Sequence, residues 1–381
     1  MTRDADCIKR DVCSKAASGA CPQDSHEAPG HAAADTIDPT TFTEYDGYRA
    51  LPFHWRGNTL TVDQVGAEAG GEAYLIKERV SGTGRLTRGG SILIDTGYAY
   101  CAPQTLRMIL DANDATAPDW LILTHSHYDH ASAAGYLKQH MPSMRIACSE
   151  HAAHVFSRPG AIDTMRRLND NQARIVGLRE YEDVAVAIEP DCIVGEGDTI
   201  ESGSLHVKVM RAIGHTKCSI SLWFTDEQML MACESNGVYA GPPPASVPAA
   251  DAARFGTGAC ESVPESVKYM TEPSFLVDCK ASLDVIDRSL SLKPSAMLLS
   301  HNGVFVGHDA RDYLRSAKYW EQYAIRFTCA AHKAGLGNEE IAKLYKKVFY
   351  TETVHMIQPE MAFDLNTGYQ IATVIQQYCT N

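Results

Sequence analysis

The most constraining feature of the chain is a run of six residues, His125-Ser126-His127-Tyr128-Asp129-His130, just behind the apolar stretch Trp120-Leu121-Ile122-Leu123. A short apolar run of this kind reads as a buried strand. The Ala-rich Ala131-Ser132-Ala133-Ala134 that follows reads as the start of a helix. The strand therefore delivers three imidazoles and a carboxylate at its carboxyl end. Neutral imidazole and carboxylate suit zinc or iron, and donors of both kinds so closely spaced can serve two ions at once. A His-rich surface turn would look the same over these six residues. What separates the two readings is whether further donors arrive from elsewhere in the chain.

They do. Upstream stands Ile92-Leu93-Ile94-Asp95-Thr96-Gly97, and downstream stand Ile213-Gly214-His215-Thr216 and Leu298-Leu299-Ser300-His301-Asn302-Gly303. Together with HxHxDH, in this order, these elements resemble the metallo-β-lactamase-fold hydrolases. The resemblance implies an α/β fold, a four-layer αββα sandwich, here followed by an all-helical C-terminal extension. It assigns His125, His127 and His215 to a first metal, and Asp129, His130 and His301 to a second. Asp95 would support the ligand loop from behind. The family normally bridges its metals with the Asp of a Gly-Asp pair, whereas Met229-Leu230-Met231-Ala232-Cys233-Glu234-Ser235 fills that place here. Glu234 is expected to bridge, its extra methylene absorbed by a backbone shift or a different binding mode. Cys233 or Cys218 as a soft ligand is the rival reading.

The implied cofactors are two divalent ions, zinc first, with iron or manganese open. Two ions roughly 3.5–4 Å apart can share a water and lower its pKa from about 15.7 toward about 7. The resulting bridging hydroxide would attack a carbonyl or phosphoryl centre, with Asp129 as the catalytic residue that takes the proton. Gly-x-Ser-x-Gly is absent, and no Ser-His-Asp or Cys-His nucleophile is required.

Composition narrows the partners. With 381 residues, 45% hydrophobic, the chain can bury a large core or two domains. A net charge of −13 argues against a nucleic-acid backbone or an anionic membrane. No uncharged apolar run approaches the roughly 18–20 residues of a membrane span. Asp4, Asp6, Lys9, Arg10 and Asp11 leave no room for the apolar part of a secretory signal. The twelve cysteines include no CxxC pair, so free thiols in a cytoplasmic setting are expected. The expected partner is a small-molecule substrate, with a homodimer left open.

Three segments follow along the chain. Residues 1–45, rich in Ala, Asp, Ser, Gly and Pro and carrying Cys7, Cys13 and Cys21, read as a flexible leader. Residues 46–308 form the catalytic domain. Within it Ser81-Gly82-Thr83-Gly84 reads as a hairpin tip, and residues 161–178 as a helix resembling an insertion that overlies the metal site. Residues 237–272 read as a long loop, either a lid or a passive insertion. Leu276, Cys279, Leu283, Ile286 and Leu290 mark an amphipathic helix. Residues 309–381 read as a helical cap, with Asn338 as an N-cap.

Such a tail, with Ala147-Cys148-Ser149-Glu150 and Arg166-Arg167-Leu168-Asn169, resembles the branch containing the quinolone-response thioesterase. Trp320 and Tyr323 are the candidate substrate contacts from the tail. His308, His332 and His355 read as ordinary residues, not ligands. The resemblance favours hydrolysis of a thioester, ester or lactone of a small molecule. A phosphodiesterase or β-lactamase-type hydrolase is the alternative, and a metal-bearing regulatory or partner-binding protein with incidental hydrolysis is another.

Overall fold

A computed structural model describes residues 43–45, 48–50, 54–79, 89–178, 187–250 and 259–379. Of the leader, with its three cysteines, only β1 (Thr43–Tyr45) is among the described residues, paired with β2 (Tyr48–Ala50) just beyond it, and the tip at Ser81-Gly82-Thr83-Gly84 lies outside them.

The first large sheet is built in sequence order from β3 (His54–Arg56), β4 (Leu60–Gln64), β5 (Tyr74–Glu78), β6 (Ser91–Ile94), β7 (Trp120–Ile122), β8 (Arg145–Ser149) and β9 (Cys192–Val194). Its first half is antiparallel, and from β6 to β9 it is parallel. Parallel pairing needs crossovers, which place α1 (Ala102–Ala112), α2 (Tyr128–Ala131), α3 (Ala134–His140), α4 (Glu150–Phe156) and α5 (Pro159–Ile175) between these strands.

The second sheet begins with β10 (Thr199–Ser202), β11 (Leu205–Arg211), β12 (Ile220–Phe224) and β13 (Met229–Ala232). The stretch read as a long loop contains two small antiparallel pairs: β14 (Val238–Gly241) lies beside β17 (Met270–Glu272), and β15 (Ser246–Pro248) beside β16 (Cys260–Ser262). The helix α6 (Cys279–Ser291) then leads to β18 (Ala296–Leu299) and β19 (Val304–Val306), which complete a six-stranded sheet ordered β10-β11-β12-β13-β18-β19.

Period-two side chains sort into layers. Ile92 and Ile94 of β6 face inward with Val62, Tyr74 and Ile122, and meet Val209, Leu222, Met231 and Leu298 of the second sheet. Leu93, Leu121 and Ile146 point the other way, under Leu106, Ile109, Leu137 and Phe156 of the helices. On the far side, Leu230, Ala232, Met297 and Leu299 are covered by Ile286 of α6 and by Tyr313, Leu314 and Ala317. Those three residues belong to α7 (His308–Lys333). The architecture is the expected αββα sandwich with a helical C-terminal region, and α7 supplies part of its outer layer.

The tail continues with α8 (Asn338–Phe349), α9 (Glu352–Ile357) and α10 (Glu360–Val374). Asn338 is not the N-cap of α8. Gly337 takes that place with extended backbone, and its N–H donates to the Glu340 carboxylate at 2.9 Å. No helix among the described residues is long and apolar enough to cross a membrane.

Candidate metal centre

Strand register brings the donors together. Ile94 of β6 pairs with Ile122 of β7, so their carboxyl ends lie side by side. Asp95, held at φ 57°, accepts from the Thr124 N–H at 2.8 Å and the Thr124 hydroxyl at 2.7 Å. Its Oδ2 also accepts from His130 Nδ1 at 2.9 Å. One strained carboxylate therefore fixes the start of the ligand loop and the tautomer of its last histidine. In the second sheet Ala232 pairs with Leu299, which sets the ends of β13 and β18 together and delivers Glu234 and His301. His215 sits in the turn between β11 and β12. The turn needs a glycine at 214, where an added Cβ would lie 2.8 Å from the Cβ of Ser282.

Two groups result. His125, His127, His215 and Glu234 form one, and Asp129, His130, Glu234 and His301 the other, with the donor atoms of each within 4.8 Å of one another. Glu234 Oε1 is common to both. It lies 3.4 Å from His125 Nε2, 3.4 Å from His215 Nε2, 3.1 Å from His130 Nε2 and 3.8 Å from His301 Nε2. Asp129 Oδ2 is 3.5 Å from His130 Nε2 and 3.9 Å from His301 Nε2.

Groups behind the rings fix which nitrogen is free. His301 Nδ1 donates to Glu72 Oε2 at 2.6 Å. His215 Nδ1 donates to the Ser274 carbonyl at 2.7 Å, because a carbonyl can only accept. His215 Nε2 is then a bare lone pair 2.9 Å from His127 Nδ1. His125 Nε2, His130 Nε2 and Glu234 Oε1 are buried and satisfied by no hydrogen bond. Each such atom costs about 1–3 kcal/mol if nothing compensates it. Converging lone pairs of this kind fit cations, and the donor set of imidazole and carboxylate matches zinc, iron or manganese.

Electrostatics divide the two groups. At His130 and His301 burial is outweighed by the facing carboxylates, Asp129 and Asp95 holding His130 well above its ordinary value and Glu72 with Glu234 pushing His301 up to about 10, whereas His125 and His127 of the first group shift the other way. Burial and the neighbouring His215 push His127 down to about 3, and burial with the surrounding imidazoles holds His125 well below its ordinary value, keeping both rings neutral as ligands require. Burial works against ionisation of Glu234, yet His215, His130 and His301 outweigh it and hold the carboxyl well below its usual range. Burial raises Asp129. Cys233 and Cys218 offer no atom to either group. Cys233 Sγ faces the Ala212 carbonyl at 3.6 Å, and Cys218 Sγ lies 3.0 Å from the Thr216 hydroxyl. His308, His332 and His355 also stand outside both groups.

Above the donors lies a cavity of about 800 Å³, lined among others by Tyr98, Tyr128, Asp129, His301, Leu168 and Ile357. The helix expected over the site is α5, which contributes Thr164, Arg167, Leu168, Asn171 and Ile175 to the wall. Trp320 and Tyr323 do not reach it. Both are fully buried in an aromatic core with Phe327, Tyr345, Phe349 and Phe363. The Trp320 indole donates to the Tyr269 carbonyl at 2.8 Å, and the Tyr323 hydroxyl to the Pro248 carbonyl at 2.7 Å. Their aromatic spacing is that of a helix face packed on the β14–β17 region. Cap residues that do line the cavity include the apolar Ile357, Met361, Leu365 and Tyr369 and the polar Gln358, Asp364 and Asn366.

Sequence reasoning missed Glu72, Ser274 and Glu272. Glu72 sits in a Gly-rich turn and Ser274 in a loop, with no spacing that marks them. Glu272 lines the cavity and is pushed up to about 8 by burial and by Glu234.

A family model described as the metallo-beta-lactamase superfamily matches residues 73–301, more than half of the chain. The chain belongs to that superfamily. It is 27% identical over 235 residues to the acyl-coenzyme A thioesterase MBLAC2 of Bos taurus, covering 57% of this chain and 74% of the relative. Among solved structures, it is similar to a beta-lactamase domain protein from Burkholderia ambifaria (15% identity, TM-score 0.51, 91% of this chain and 89% of that one). It is also similar to the sec-alkylsulfatase Pisa1 from Pseudomonas sp. (12% identity, TM-score 0.54, 87% and 51%). At these identities the two structures speak for the fold alone.

Proposed function

We propose that the protein hydrolyses a thioester, ester or lactone of a small molecule at two divalent ions, zinc being the first choice. The observation that carries this is Glu234 Oε1, a single oxygen within 3.1–3.8 Å of four imidazole nitrogens drawn from two donor groups. His125, His127 and His215 would hold one ion, Asp129, His130 and His301 the other, and Glu234 would serve both. When bound, such ions polarise a substrate oxygen and lower the pKa of water so that a nucleophile exists at neutral pH.

The chain's own groups do the rest. Glu72, Asp95 and Ser274 hold the rings in the tautomer that points a lone pair inward. Asp129, partly open to the cavity, can accept the proton released as water adds to the acyl carbon. The acyl carbon gains an oxygen from water, the bond to sulfur or alkoxide oxygen breaks, and the leaving group takes up a proton. Tyr98, Tyr128 and Leu168 wall the cavity and limit water around that step. A volume of about 800 Å³ suits a small molecule, not a polymer. The similarity to an acyl-coenzyme A thioesterase supports a thioester ahead of a phosphodiester.

The test is elemental analysis of protein purified without chelator, followed by assays on acyl thioesters, esters, lactones and phosphodiesters. Close to two metals per chain and turnover of an acyl substrate that chelator abolishes are expected. No bound metal after reconstitution, or turnover confined to phosphodiesters, would overturn the reading.

A further inference from the structure

Helices α5 and α10 both line the cavity with exposed side chains, among them the polar Thr164, Arg167 and Asp364 beside a larger apolar set. Leu168 and Ile175 line it from α5, and Met361, Leu365 and Tyr369 from α10. Ile175, Met361, Leu365 and Tyr369 are large apolar side chains, each more than half exposed, at 55%, 53%, 54% and 56%. Single exposed apolar residues are ordinary on a protein surface. Here four gather at one cavity whose lining also holds His127, Asp129 and His301. Met361, Leu365 and Tyr369 recur every four residues, so they form one stripe along α10. The helix packs Phe363, Thr367, Gln370, Ile371 and Val374 into the protein with a different face. Core packing therefore accounts for one side of α10 and leaves the stripe unexplained.

We propose that α5 and α10 form a binding site for an extended apolar acyl chain, which runs outward from the metal centre between Leu168 and Ile175 on one side and Met361, Leu365 and Tyr369 on the other. This rests on the hydrolase reading above and names the substrate's acyl half. The cavity's continuity with the donor groups decides the occupant. A chain anchored by its acyl carbon at the donor groups and extended along this wall removes the stripe from water. A compact polar substrate would leave the stripe bare.

The experiment uses the full chain loaded with zinc and a series of straight-chain acyl thioesters from acetyl to palmitoyl. Each methylene buried between α5 and α10 adds up to about fourfold in kcat/KM until the groove is filled. Leu365→Asp and, separately, Tyr369→Ser should lower the ratio of kcat/KM for decanoyl over acetyl thioester by about tenfold or more. Both positions are exposed, and thermal melts of the variants check that they fold. A second measurement is calorimetric binding of straight-chain fatty carboxylates, with affinity rising with length in the wild type and flat in Leu365→Asp.

The two arms separate the failures. Length-dependent carboxylate binding without turnover of any acyl thioester, ester or lactone overturns the hydrolase reading and supports the acyl groove. Turnover without length dependence overturns the groove. A Leu365→Asp variant that changes oligomeric state in sedimentation while keeping the wild-type length profile also overturns it, and makes the stripe a contact between copies of the chain.

Discussion

Glu234 stands where the resemblance leads one to expect an aspartate, and its surroundings fix how the longer side chain lies. Residues Glu234–Asn236 turn as a single 3₁₀ segment directly after β13. Ser274 donates to Glu234 Oε2 at 3.2 Å, which leaves Oε1 alone to face the imidazoles. The same economy holds His301, whose ring is oriented by Glu72, itself buried and accepting from the Gly70 N–H at 3.1 Å. Removing such a supporting carboxylate typically costs 10–100-fold in metal affinity. On the two-ion proposal, Glu72→Ala is therefore expected to weaken the ion at His301 by about that factor, and to leave an ion at His125, His127 and His215 near its original affinity. Competitive titration with a chromophoric chelator checks this. Equal weakening of both sites, or of neither, would mean that Glu72 does not act through His301. The donors themselves were legible because imidazoles at HxHxDH spacing have few other uses. Glu72 was not, since a glutamate after two glycines carries no pattern that distinguishes it from a solvated turn.

At the scale of elements, α6 and α7 are joined to the site by a buried acid. Ser282 Oγ of α6 is 2.7 Å from Glu321 Oε1 of α7 and 2.8 Å from the Ser235 carbonyl. Ser235 in turn accepts from the His215 N–H at 2.9 Å. The Ser282 hydroxyl has one proton to offer the Ser235 carbonyl and Glu321 Oε1, both of which accept, so its bond favours the ionised carboxylate and works against burial. Burial pushes Glu321 up to about 8, consistent with a neutral carboxylic acid at this position. The folded protein thus holds a proton that the unfolded chain, titrating near about 4.3, releases. Stability is undiminished below the unfolded value, falls as pH rises from there, and levels off above about 8, where the folded group also ionises. Glu321→Gln keeps a donor and cannot ionise. Its Tm should match the wild type near pH 5 and exceed it increasingly toward pH 8, read from paired melts at fixed zinc. A constant offset across that range would show that Glu321 is not titrating. Amphipathic spacing marks α6, but periodicity reports only that a face is buried, not against what. That is why Trp320 and Tyr323 read as cavity residues when the β14–β17 region is their neighbour.

For the whole molecule, the boundary after the last ligand is less a seam than the sequence suggests. Residues 309–381 read as a cap because the donor motifs end at His301 and helical periodicity takes over. In the fold, Tyr313, Leu314 and Ala317 of α7 cover Leu230, Met297 and Leu299 on the outer face of the second sheet, beside Ile286. The remainder of α7 joins α8 and α10 around Phe327, Tyr345, Phe349 and Phe363. The strands beneath, β13 and β18, are the two that deliver Glu234 and His301. A chain ending at residue 308 would expose that apolar face directly behind the metal donors, a patch of the kind that drives association. The expected outcome of this truncation is aggregation and loss of metal from both groups, not a soluble core with altered selectivity. Size-exclusion chromatography with metal analysis of the soluble fraction reads it. A monomeric fragment retaining two metals would show that the sandwich is complete without α7, and would return the tail to the role of a separable cap.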